Sequence, residues 1–91
     1  MELIKTEELR PYIAVPVQVG VQDASGERAP LVSRVIQKAA ICPDGTHIRL
    51  YFDRRFFLAV PRKSCVTKNE QEWMAFDQET ELSYIVRKEE A

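Results

Sequence analysis

The chain lacks most of what announces a function in sequence. Among its 91 residues are two cysteines, three glycines and one histidine. Cys42 and Cys65 form no close C-x-x-C pair, which excludes the usual zinc motifs and any disulfide framework. Both are expected as reduced thiols packed like small hydrophobes; a bridge between them would need α-carbons within about 7 Å. The glycines make neither G-x-G-x-x-G nor G-x-x-x-x-G-K-[ST], so no phosphate-cradling loop is encoded. No apolar run approaches the roughly 18 residues of a membrane-spanning helix. The acidic start, Met1-Glu2-Leu3-Ile4-Lys5-Thr6-Glu7-Glu8, has no apolar signal core. The expectation is a cytoplasmic protein with no membrane partner.

Catalytic chemistry is equally thin. His47 has no sequence neighbour that marks a nucleophile or an orienting acid. Cys42-x-x-x-x-His47 is too sparse to hold a metal without further ligands. The acidic pairs Glu7-Glu8, Glu70/Glu72, Glu79/Glu81 and Glu89-Glu90 fall in polar turns and ends, where nothing would raise a carboxyl pKa. No catalytic residue, metal or small-molecule cofactor is expected, and the chain is read as not an enzyme.

What the chain does have is alternation. Its composition, 45% hydrophobic and 30% charged, is that of a folded domain. We expect one domain over 1–91, with an N-terminal segment 1–11 and a solvated tail 88–91. Thr6 could cap one helical turn that Pro11 stops. Ile13, Val15, Val17, Val19 and Val21 then occupy every second position, which predicts a strand with one buried face. Pro16, lacking a donor, places it at a sheet edge or a bulge. Residues 23–30 read as a loop. Pro43-Asp44-Gly45 is a hairpin turn followed by alternating Ile48, Leu50 and Phe52. A three-residue loop sets Ala40 opposite Ile48; a two-residue loop sets Ile41 opposite Ile48 and Ala39 opposite Leu50.

Residues 31–41 fit a strand leading into that turn, or a helix carrying Leu31, Val32, Val35, Ile36, Ala39 and Ala40 on one side. Residues 56–60 are apolar throughout and predict a central strand covered on both faces, with Phe56 and Phe57 in the core. Strands at 64–67, 72–76 and 82–87 complete a meander, with Trp73 and Ala75 on one face. The fold class expected is mainly β: a small barrel or twisted antiparallel sheet of five to seven strands with at most one short helix. The alternative is α+β with a helix at 31–41.

Charge is unevenly distributed. Residues 1–27 carry −3, residues 28–68 carry +7 and residues 69–91 carry −5 within a total of −1. Acidic and basic strands paired across a sheet would account for this. So would a basic surface for an anionic partner. Arg49, Arg54, Arg55, Arg62, Lys63 and Lys68 are interleaved with Tyr51, a composition suited to single-stranded nucleic acid. The expected function is a non-catalytic binding or interaction module that self-associates as a homodimer, its β-branched edge strand being the pairing surface. The alternative is a nucleic-acid-binding small barrel, with Arg54, Arg55, Arg62 and Lys63 on phosphates and Tyr51 stacking a base.

Overall fold

A computed structural model of the chain describes residues 3–26 and 30–89. Part of the expected 23–30 loop, at 27–29, and the last two residues of the expected tail lie outside the described residues. The alternating stretches form β1 (Pro16–Gln22), β2 (Val32–Val35), β3 (Lys38–Ile41), β4 (His47–Tyr51), β5 (Phe57–Pro61), β6 (Cys65–Lys68), β7 (Glu72–Asp77) and β8 (Leu82–Lys88). The fold is mainly β. Its strands make two twisted antiparallel sheets, ordered β2-β1-β8-β7-β6 and β3-β4-β5, and no closed barrel.

Residues 31–41 are extended, not helical, and they supply two strands instead of one. β2 pairs with β1, while β3 pairs with β4 in the other sheet. The chain changes sheets at Ile36 and Gln37. Ile36 is fully buried, and the Gln37 N–H donates to the Tyr51 carbonyl at 2.7 Å. Each half of the segment has its own partner strand, so a helix would forfeit two ladders.

In the 43–45 hairpin, Ile41 stands opposite Ile48 and Ala39 opposite Leu50. This is the register expected of the shorter loop. The Gly45 N–H closes the turn on the Cys42 carbonyl at 2.9 Å, and Gly45 sits at φ 77°. A Cβ there would meet nothing within 4 Å, so only backbone strain opposes substitution. Gly45→Ala is expected to lower stability by about 1 kcal/mol, read as a shift in the urea midpoint at constant slope. An unchanged midpoint would show that the turn tolerates an ordinary residue.

Four expectations are corrected. β1 is not an edge strand: it lies between β2 and β8, and Pro16 is its first residue, where a missing donor is tolerated. Ala14, at φ 65°, turns the chain before the strand begins. β5 is not central but the edge of the smaller sheet, so Phe56 and Phe57 are 66% and 42% exposed. Pro11 does not stop the N-terminal helix, which is a 3₁₀ helix over Thr6–Tyr12 with Pro11 inside it. Its cap is Lys5, not Thr6: the Lys5 N–H donates to the Glu8 carboxylate at 2.9 Å.

Leu9 and Tyr12 of this helix join one core with Val17, Ile36, Ile48, Leu50, Val60, Trp73, Tyr84 and Val86. Both sheets contribute to it. The first residues of the expected tail belong to the sheet: the Lys88 N–H donates to Gln71 at 2.8 Å and the Glu89 N–H to Pro16 at 3.2 Å.

Candidate functional site

β4 is the middle strand of its sheet, and its period of two divides its side chains sharply. Ile48 and Leu50 enter the core, fully buried; His47, Arg49 and Tyr51 point outward. Register then builds rows across the outer face. Lys38, Tyr51 and Phe57 form one row; Ala40, Arg49 and Ala59 form the next. The Tyr51 and Phe57 rings lie 5.2 Å apart at 49°. The Lys38 ammonium sits 5.0 Å from the Tyr51 ring centre and the Arg49 guanidinium 4.9 Å from that of Phe57. Arg49 also donates to the Tyr51 hydroxyl at 3.2 Å. The small side chains of the second row leave a shallow trough of about 440 Å³ beside Arg49, Phe57, Ala59 and His47. A second depression, about 520 Å³, lies at Lys38, Tyr51 and Arg54.

The residues expected to bind nucleic acid are divided by the fold. Arg54 and Arg55 stand exposed in the β4–β5 loop, and Arg54 shares the second depression with Tyr51. Asp53 shapes that loop by accepting the Arg55 and Phe56 N–H groups at 2.7 and 2.8 Å. Arg62 and Lys63 lie past the other end of β5, roughly 16 Å away for five extended residues. Arg62 is occupied structurally: it donates to the Ile4 carbonyl at 3.0 Å and the Gly45 carbonyl at 3.1 Å. Lys63 is ion-paired with Glu79.

Sequence reasoning omitted Lys38 and assigned Phe57 to the core. The short-loop register, extended by one pair, already sets Lys38 opposite Tyr51. Nothing in a run of five apolar residues signals that Phe57 would be open. The basic β4–β5 loop and the acidic β7–β8 turn belong to different sheets, although β8 itself ends in Arg87 and Lys88. Among the described residues, the ion pair Lys63–Glu79 is the single one.

The β3–β4 turn holds a second polar cluster. Asp44 Oδ1 accepts from the Cys42 thiol at 2.7 Å, the Thr46 hydroxyl at 2.8 Å and the Thr46 N–H at 3.2 Å. These bonds, the thiol's first, lower the Asp44 carboxyl to about 2. Because Thr46 Oγ1 gives its proton to Asp44, it must accept from His47 Nδ1 at 2.8 Å. The ring is thereby oriented with its Nδ1–H toward the Thr46 hydroxyl. Both cysteines are free thiols, Cys42 buried and Cys65 exposed. Among the described residues no three or more His, Cys, Asp or Glu side chains are grouped to hold a metal.

A pH dependence follows. Asp44 is depressed in the folded state, and Asp77 is lowered too, first by the Thr80 hydroxyl. Their contributions are complete above the unfolded carboxyl range near 4 and are lost as pH falls through the folded values. Urea midpoints should therefore fall between about pH 4 and 2, and Asp44→Asn should flatten part of that fall. A midpoint constant down to pH 2 would contradict these bonds.

No family model, no characterised protein and no solved structure matches this chain.

Proposed function

We propose that this chain is a non-catalytic binding module that takes single-stranded nucleic acid on the outer face of β3-β4-β5. One observation carries the reading: Tyr51, half-buried, and Phe57, exposed, lie side by side on the outer face, with Lys38 and Arg49 beside their rings. Aromatic faces stack bases, and neighbouring cations meet phosphates. Arg54 and Arg55 extend the cationic rim, and no carboxylate pairs with either among the described residues. The pI near 5.8 reflects acidic residues elsewhere in the molecule, among them Glu7, Glu8, Glu79 and Glu81. No helix among the described residues is long and apolar enough to cross a membrane. Two free thiols suit the reducing cytoplasm, which we take as its location.

The test is fluorescence anisotropy of labelled single-stranded DNA and RNA at about 50 and 200 mM salt. Four phosphate contacts, from Lys38, Arg49, Arg54 and Arg55, imply roughly 50-fold weaker binding at the higher salt. Absent binding, or binding indifferent to salt, would remove the reading.

A second reading is association with another protein chain, the expected homodimer included. Its support has moved from β1 to β2, a true edge whose Val32 and Val35 are 43% and 46% exposed. Beside it, Val35, Phe56 and Phe57 line a notch of about 510 Å³ with Arg34. Charge opposes pairing of β2 with its own copy. A two-fold centred on Arg34 sets guanidinium against guanidinium. One centred on Ser33 gathers two Glu89 carboxylates, each bonded by a Ser33 hydroxyl. A different partner chain suits this edge better than a second copy, and the mass in solution distinguishes the two.

A further inference from the structure

We infer that the cleft between the two sheets, at the end where β5 finishes, binds a small organic ammonium ion. The cleft holds about 600 Å³ and is walled by the 45–47 turn on one side and the β7–β8 turn on the other. Leu3 and Pro61 give it an apolar side; Asp77, Tyr84, His47 and Lys63 give it polar groups.

The unused bonding capacity of these groups selects the ligand. Tyr84 is only 9% exposed, and its hydroxyl has no hydrogen-bond partner among the described residues. Asp77 is 2% exposed. It accepts from the Thr80 hydroxyl at 2.7 Å and the Glu79 N–H at 3.3 Å, which leaves lone pairs unused. These bonds hold its carboxyl below the ordinary range, so it is anionic at neutral pH. Burial, and then the Asp77 charge, push the Tyr84 phenol up.

The ammonium of Lys63 is ion-paired with Glu79, and its charge also acts on Asp77. Two carboxylates against one ammonium make the lining net negative. Free acceptors, a negative balance and an apolar wall fit a cation with several N–H donors and a short aliphatic body. An anion would meet Asp77. The cleft thus has the opposite charge preference to the outer face of β3-β4-β5, and its fate is independent of nucleic-acid binding.

The experiment is a residue-resolved ¹H–¹⁵N NMR titration at pH 7 and constant ionic strength, with n-butylamine as probe and sodium butyrate as control. The expected result is saturable shifts at Thr46, His47, Glu79, Thr80 and Tyr84 with butylammonium and none there with butyrate. Tyr84→Phe keeps the ring in the core and removes the hydroxyl, and should weaken binding about fivefold. This variant is preferred to Asp77→Asn, because Asp77 also closes the β7–β8 turn. Three results would each overturn the assignment: no saturable shift with butylammonium, equal shifts with butyrate, or Tyr84→Phe binding as tightly as wild type. Shifts confined to exposed Glu70 and Glu81 would mean surface ion pairing and would overturn it as well.

Discussion

Tyr51→Ala/Phe57→Ala is expected to weaken oligonucleotide binding about 100-fold or more, because each stacked base is worth about 1–3 kcal/mol. Both rings lie on the outer face, Phe57 42% exposed, so the double variant should remain folded by circular dichroism. Arg54→Ala/Arg55→Ala should act differently. It should weaken binding modestly and reduce the salt slope by about 1.4, the loss of two single-strand phosphate contacts. Arg62→Ala should leave that slope unchanged, since its donors serve the Ile4 and Gly45 carbonyls. Its effect should appear in stability, by about 1–2 kcal/mol. Affinity within twofold of wild type for a folded Tyr51→Ala/Phe57→Ala protein would exclude stacking on this face.

Trp73→Ala should be the most destabilising single change, by about 3–5 kcal/mol. Trp73 is fully buried and stands on β7 between Lys68 and Val86 of the flanking strands. A domain of this size has about 5–15 kcal/mol in all, so the variant should be largely unfolded at 37 °C. The indole Nε1 is buried without a hydrogen-bond partner among the described residues. Trp73→Phe therefore loses volume but also removes an unsatisfied donor, and should cost much less, below about 1.5 kcal/mol. Urea unfolding followed by circular dichroism measures both. A loss under 1 kcal/mol for Trp73→Ala, well below the usual range for a core Trp, would mean the ring is not where the core needs it.

Strand identity was legible along the chain because it is local. Val17 and Val19, Ile48 and Leu50, and Trp73 and Ala75 all face the core as their alternation predicts. The turn at Pro43-Asp44-Gly45 is equally local, but its sequence leaves two registers open, and the pairing of Ile41 with Ile48 was decided by the fold. Tyr51 is legible as a base-stacking candidate, and Arg54 lines a depression with it. Phe57 was misplaced, since a run apolar at every position reads alike whether both faces are covered or one is open. Arg62 and Lys63 were grouped with Arg54 and Arg55 by proximity in sequence, yet an extended strand carries them to opposite ends of the sheet.

Period-two patterning therefore settles which residues are extended and which side chains share a face, because backbone geometry enforces it residue by residue. Which face is then covered depends on contacts between segments far apart in sequence. The division into two sheets at Ile36 and Gln37, the edge position of β5 and the interior position of β1 were all decided there. So was the cleft that sets Asp77 near Tyr84, and so was the exposed row of Lys38, Tyr51 and Phe57. Each strand meets the same local requirements on an edge or in the middle of a sheet, and only the assembled fold distinguishes the two.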